Sequence, residues 1–97
     1  MITKEDVLKA IEDVKHPAID LSLVELGIVK TVEVENNKVK IIFAFPFPNI
    51  PIADMLINSI KQPIIGLGAE YEDSIVMMTE EEKQRFLMLE QSAWKGM

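Results

Sequence analysis

An α+β domain is the fold this sequence predicts: a small mixed β-sheet with helices packed mainly on one face, in the order α-β-β-α-β-α. Three observations lead there. The chain has 97 residues, 48% of them hydrophobic, enough for one core and so one domain over residues 1–97. Two β-branched, alternating segments flank the turn pair Asn36-Asn37, which is a hairpin pattern. Three further segments carry apolar residues at helical spacing and are bounded by capping residues, prolines or glycines.

Thr3 followed by Asp6 opens a first helix over about Lys4–Lys15, because a side-chain oxygen can accept from the first free backbone N–H groups. Val7, Ile11 and Val14 recur on one face, and His16-Pro17 is expected to end it, since the residue before proline is pushed out of the α region. Residues 18–26 connect, with room for one helical turn over Leu23–Leu26, and Gly27 marks a bend. Strands then run over about Ile28–Glu35 and Lys38–Phe45. Val39, Ile41, Phe43 and Phe45 share a face of the second.

The prolines at 46, 48 and 51 make a strand-to-helix loop, because proline donates nothing to a ladder but is tolerated in a helix's first turn. A second helix follows over about Ile50–Lys61, with Ile52, Met55, Leu56, Ser59 and Ile60 on one side, and Pro63 is expected to stop it. A third strand spans Ala69–Met78, alternating Tyr71, Asp73, Ile75 and Met77 with Glu70, Glu72, Ser74 and Val76. Thr79 and Glu82 form a capping box for a last helix reaching about Trp94 and stopping at Gly96, whose apolar positions Phe86, Leu87, Leu89, Ala93 and Trp94 make a broad stripe. Met55 and Met77 are expected to fill the core.

Composition excludes several function classes. The chain has no cysteine, hence no disulfide, no thiolate nucleophile and no cluster held by its own thiols. Ten Lys and Arg stand against 16 Asp and Glu, a net charge of −6, which repels a phosphate backbone and argues against nucleic acid as a partner. The start of the chain is polar, and its longest apolar tract is broken by prolines. No signal peptide and no membrane span are expected, and the cytoplasm is the default location.

Candidate chemistry is sparse. His16 is the one histidine, with Asp13 and Asp20 the nearest acids in sequence. A helix-end histidine contacting terminal carbonyls is the structural reading, and a weak ligand site at His16 and Asp20 the functional one. The acids from Glu70 to Glu82 have a solvated face and a helix cap to explain them. Gly66-Leu67-Gly68 is too short for a phosphate loop, and no serine sits in a nucleophile motif. No catalytic residue, metal ligand or cofactor is assigned. The exception to this blandness is Phe43–Ile52, which places Phe47 and Ile50 in a loop at a helix start. They either pack back onto the helix as a hydrophobic staple or form a surface covered by a pocket, a partner or another subunit.

Several strings resemble one family. Val7-Leu8-Lys9-Ala10-Ile11, His16-Pro17 with Leu23-Val24-Glu25-Leu26-Gly27-Ile28-Val29, and Pro48-Asn49-Ile50-Pro51-Ile52-Ala53-Asp54-Met55-Leu56 look like the small iron–sulfur cluster assembly domain. That family is also known as domain of unknown function 59, with PaaD and SufT-like relatives. The resemblance runs from the first helix through the second, and the remaining elements fit in kind. The family has Asp-Pro-Glu where this chain has His16-Pro17-Ala18, and Pro-Gly-Cys-Pro where it has Pro48-Asn49-Ile50-Pro51. Its reactive cysteine therefore falls on Ile50.

The resemblance implies a divergent, non-enzymatic accessory or adaptor protein of iron–sulfur assembly. Phe47, Asn49, Ile50 and Pro51 would be its contact loop, and maturation machinery or apo-protein clients its partners. A small-ligand or metal-binding domain using His16 and nearby carboxylates is the alternative, and a homo-oligomer burying the loop between subunits is a third.

Overall fold

The computed structural model describes residues 2–17, 19–48 and 50–94. Its elements are α1 (Lys4–Ile11), β1 (Val29–Glu35), β2 (Lys38–Phe45), α2 (Ala53–Gly66), β3 (Glu70–Met77) and α3 (Glu80–Ala93). This is the α-β-β-α-β-α order of an α+β fold, with a mixed three-stranded sheet ordered β1-β2-β3. β1 and β2 are antiparallel, and β2 and β3 are parallel.

The hairpin forms because its turn suits its residues. Asn36 takes a positive φ of 56°, a conformation asparagine tolerates. Asn37 Nδ2 donates to the Gly68 carbonyl at 2.9 Å, tying the hairpin tip to the start of β3. Gly68 itself has φ +85°, where a side chain would be strained. Register puts Val32 beside Ile41 and Val34 beside Val39 on the core face, and Glu33 beside Lys40 and Glu35 beside Lys38 on the other. One face is therefore apolar and the other carries opposite charges in cross-strand pairs. The core joins Val39, Ile41 and Phe43 of β2 to Val7 and Ile11 of α1 and to Leu56, Ile60 and Ile64 of α2. Phe43 and Phe45 stack at 6.3 Å between ring centroids.

The structure corrects four expectations. α1 ends at Ile11, not near Lys15: the Val14 carbonyl accepts from Leu23 N–H at 2.9 Å and His16 N–H donates to the Leu21 carbonyl at 3.1 Å. Lys15 bridges antiparallel to Ser22, so these backbone groups serve a small hairpin that a continued helix would have consumed. The second helix starts at Ala53, not Ile50, and runs through Pro63 to Gly66. Proline there leaves the Ser59 carbonyl without its helical donor, but the turn beyond it buries Ile64 completely, which offsets that loss.

Met55 and Met77 are exposed, although they fall on the expected faces. β3 is an edge strand that α2 covers only in part, so its alternation does not become burial. Last, α3 presents no broad buried stripe: Phe86 is its one buried residue among those described, with Leu87, Leu89 and Ala93 partly covered and Trp94 exposed.

Candidate functional site

The chain leaves β2 at Phe45 and turns through Pro46-Phe47-Pro48 toward α2. Ala53 N–H donates to the Ile50 carbonyl at 3.1 Å, and Leu56 N–H to that of Ile52 at 3.0 Å. Ile50 thus sits on the turn that feeds the helix. Ile52, at the cap position, offers no side-chain acceptor. Two other segments close on this loop. The extended stretch 14–16 brings His16, and α3 brings Phe86 and Glu90. Together they enclose a cavity of about 230 Å³ whose walls include Ile28, Phe45, Pro46, Pro51 and Leu56.

Ile50 is half-buried and packs against the core, while Phe47 keeps 45% of its surface exposed. The Lys83 ammonium stands 4.7 Å above the Phe47 ring, a cation–π contact that holds the loop to α3. α3 is fixed in turn at both ends. Glu82 meets Lys30 of β1 at 3.5 Å, and Asp20 N–H donates to the Ala93 carbonyl at 2.9 Å. Phe86 anchors the middle, buried to 5% exposure.

The structure brings His16, Phe47, Ile50 and Pro51 together. Asn49 and Ala18 lie outside the described residues. His16 is not at a helix end, as expected from sequence, but five residues past the last residue of α1, in the extended stretch and 9% exposed at the cavity wall. Asp20 does not join it: its carboxylate is exposed and paired with Lys15 at 3.2 Å. Among the described residues no three His, Cys, Asp or Glu side chains are placed to hold a metal ion.

Sequence reasoning missed Glu90. It lies four residues after Phe86, on the same face of α3, and an acid in phase with a helix's buried anchor is the signal that could have found it. Larger depressions elsewhere, such as one of about 490 Å³ over Glu35, Asn36, Asn37, Lys38 and Glu70, are open turns lined by solvated polar side chains. The site is an apolar pocket with one imidazole and one carboxylate at its wall. That donor set does not fit an iron–sulfur cluster, which is held by thiolates, or by thiolates with histidine.

The iron–sulfur cluster assembly protein family model matches residues 4–75, from α1 into β3 as far as Ile75. An uncharacterized protein of Methanocaldococcus jannaschii is 42% identical over 50 residues, which take in 48% of this chain and 53% of that protein. The chain spans about half the length of that curated relative. The crystal structure of a domain of unknown function 59 from Bacillus anthracis superposes with a TM-score of 0.68 at 21% identity, covering 89% of this chain and 90% of the other. That likeness is one of fold. Among the described residues no helix is long and apolar enough to cross a membrane.

Proposed function

This chain belongs to the iron–sulfur cluster assembly protein family, and we propose that it serves that process in the cytoplasm as a non-catalytic accessory protein, acting through protein contacts at the Phe47–Ile50 loop. The observation that carries this reading is the character of the pocket. Where the family resemblance assigns a cysteine, Ile50 lines an apolar cavity of about 230 Å³. Small-molecule sites are generally roughly 300–1,000 Å³. A smaller apolar pocket beside an exposed aromatic suits a single anchoring side chain from a protein surface, the kind of contact that dominates interface energy.

In this role the cluster is the cargo of the process and is held by others. The partner is a component of the maturation machinery or an apo-protein client, and His16 and Glu90 at the pocket wall give its anchor a polar contact. Neither nucleic acid nor membrane is needed as a partner.

Deleting the gene in its host and assaying iron–sulfur enzymes tests the reading. Their activity is expected to fall and to return with the wild-type gene, but not with Ile50→Asp or Phe47→Ser. Phe47→Ser gives up the Lys83 contact and is expected to lower the melting temperature only slightly, and a melting curve showing it folded at the growth temperature separates loss of contact from unfolding. Unimpaired iron–sulfur enzymes, or stoichiometric iron and acid-labile sulfide on the purified chain, would overturn it.

A further inference from the structure

The sheet has two edges, and they differ. β1 carries a register irregularity between Val29 and Thr31 and exposes no large hydrophobic residue, the ordinary ways of discouraging strand addition. β3 does neither. Its eight residues pair with β2 in unbroken register from Glu70 opposite Lys38 to Met77 opposite Phe45. It contains no proline, glycine or lysine. Its outer backbone edge has no strand neighbour among the described residues.

At the C-terminal end of this edge three consecutive large hydrophobic residues stand in solvent, Ile75 at 55%, Val76 at 39% and Met77 at 51% exposure. They cover both faces, because Ile75 and Met77 share the face of Phe43 and Phe45 while Val76 lies on the other.

The charges on the rest of the edge are of one sign. Glu70, Glu72 and Asp73 precede the apolar end, and the strand holds no basic residue. Lys38 meets Glu72 at 3.5 Å, while Glu70 and Asp73 make no ion pair among the described residues. The edge therefore reads acidic in its first half and apolar in its second. Glu80, Glu81 and Glu82 already belong to α3, and Glu82 turns to Lys30 of β1 on the far edge of the sheet.

We propose that the free edge of β3 binds, by strand addition, an extended segment of a partner protein of which one half is apolar and the other carries lysine or arginine. Main-chain hydrogen bonds to the open edge supply affinity, and alternate side chains supply selectivity. The apolar half covers Ile75, Val76 and Met77, and the basic half meets Glu70 and Asp73. A second copy of this chain is the wrong occupant, because its own β3 brings no basic residue to these acids and each molecule carries a net charge of −6. The surface is separate from the loop pocket, whose walls include no residue of β3. A partner could engage both.

The test titrates the isotopically labelled full chain with the synthetic peptide Lys-Lys-Lys-Val-Thr-Val-Thr-Val, followed by NMR. Amide shifts and slowed hydrogen exchange are expected over residues 71–77, with affinity falling roughly tenfold between about 50 and about 500 mM salt. The same peptide with glutamate for lysine should not bind, and one with alternate amides N-methylated should bind at least tenfold more weakly. Ile75→Lys and Met77→Lys, both at exposed positions, should abolish binding of the basic peptide, whereas Phe47→Ser should leave it unchanged. Undiminished binding of the N-methylated peptide, shifts centred on Phe47, Ile50 and Glu90, no binding at millimolar peptide, or a chain already dimeric through β3 would each overturn the proposal.

Discussion

Glu82 joins two functions in one carboxylate. Its Oε1 accepts the Thr79 N–H at 2.9 Å, while Thr79 Oγ1 accepts the Glu82 N–H at 3.2 Å. The same carboxylate meets Lys30, tying the start of α3 to β1. The Thr79 amide chiefly, against desolvation and with help from Lys30, holds its pKa below the ordinary value of 4.5. A depressed folded-state pKa means that the carboxylate's contribution is full above the unfolded value and is lost as pH falls through the folded one. Glu82→Gln keeps the capping geometry but cannot titrate. It is expected to be less stable than wild type at neutral pH, with the two thermal-melt curves converging below about pH 4. Parallel curves across that range would show that the charge does not matter. Tyr71 behaves oppositely: burial, then the neighbouring Asp73 carboxylate, push its pKa up, so its enclosed hydroxyl stays neutral under all ordinary conditions.

Among the elements, α2 is the one whose limits local rules misjudge. Pro63 deprives the Ser59 carbonyl of a donor, yet Ile64 beyond it is fully buried and in phase with Leu56 and Ile60. Pro63→Ala restores the donor and removes the ring's clash, so it should stabilise the protein by about 1–3 kcal/mol, read as a higher denaturant midpoint with unchanged slope. No change, or a loss, would mean that the helix gains from proline's stiffening of the unfolded chain.

The same contrast explains what sequence could and could not reveal. The hairpin was legible because Asn36-Asn37 and strict alternation act locally, as were both capping boxes. The end of α1 was not, because the backbone of 14–16 is taken up by 21–23, a pairing with no local mark. Phe47 and Ile50 stood out as apolar residues in a proline-framed loop, and they do line the pocket. Glu90 completes the pocket from forty residues away, and only the packing of Phe86 reveals which way α3 faces.

At the scale of the whole molecule, the asymmetry of charge and hydrophobicity along the β3 edge is a safeguard as well as a docking code. Exposed, regular edge strands rich in large apolar residues invite pairing between copies. On the proposed reading the adjacent acids would keep copies apart, as gatekeeper charges do beside other unavoidable apolar strands. That protection is electrostatic, so salt screens it. As ionic strength rises, Ile75, Val76 and Met77 lose their cover while remaining exposed.

The native chain is therefore expected to stay dispersed at low ionic strength and to self-associate through β3 as salt is raised, before its thermal transition is lost. Light scattering at increasing salt, run beside circular dichroism, would reveal scattering that rises while the fold signal persists. Met77→Lys places a cation in the apolar end whose burial is costly at any salt concentration, and it should suppress that rise. Equal association of the variant, or scattering that begins only with unfolding, would assign the behaviour to the unfolded chain and remove β3 from the account.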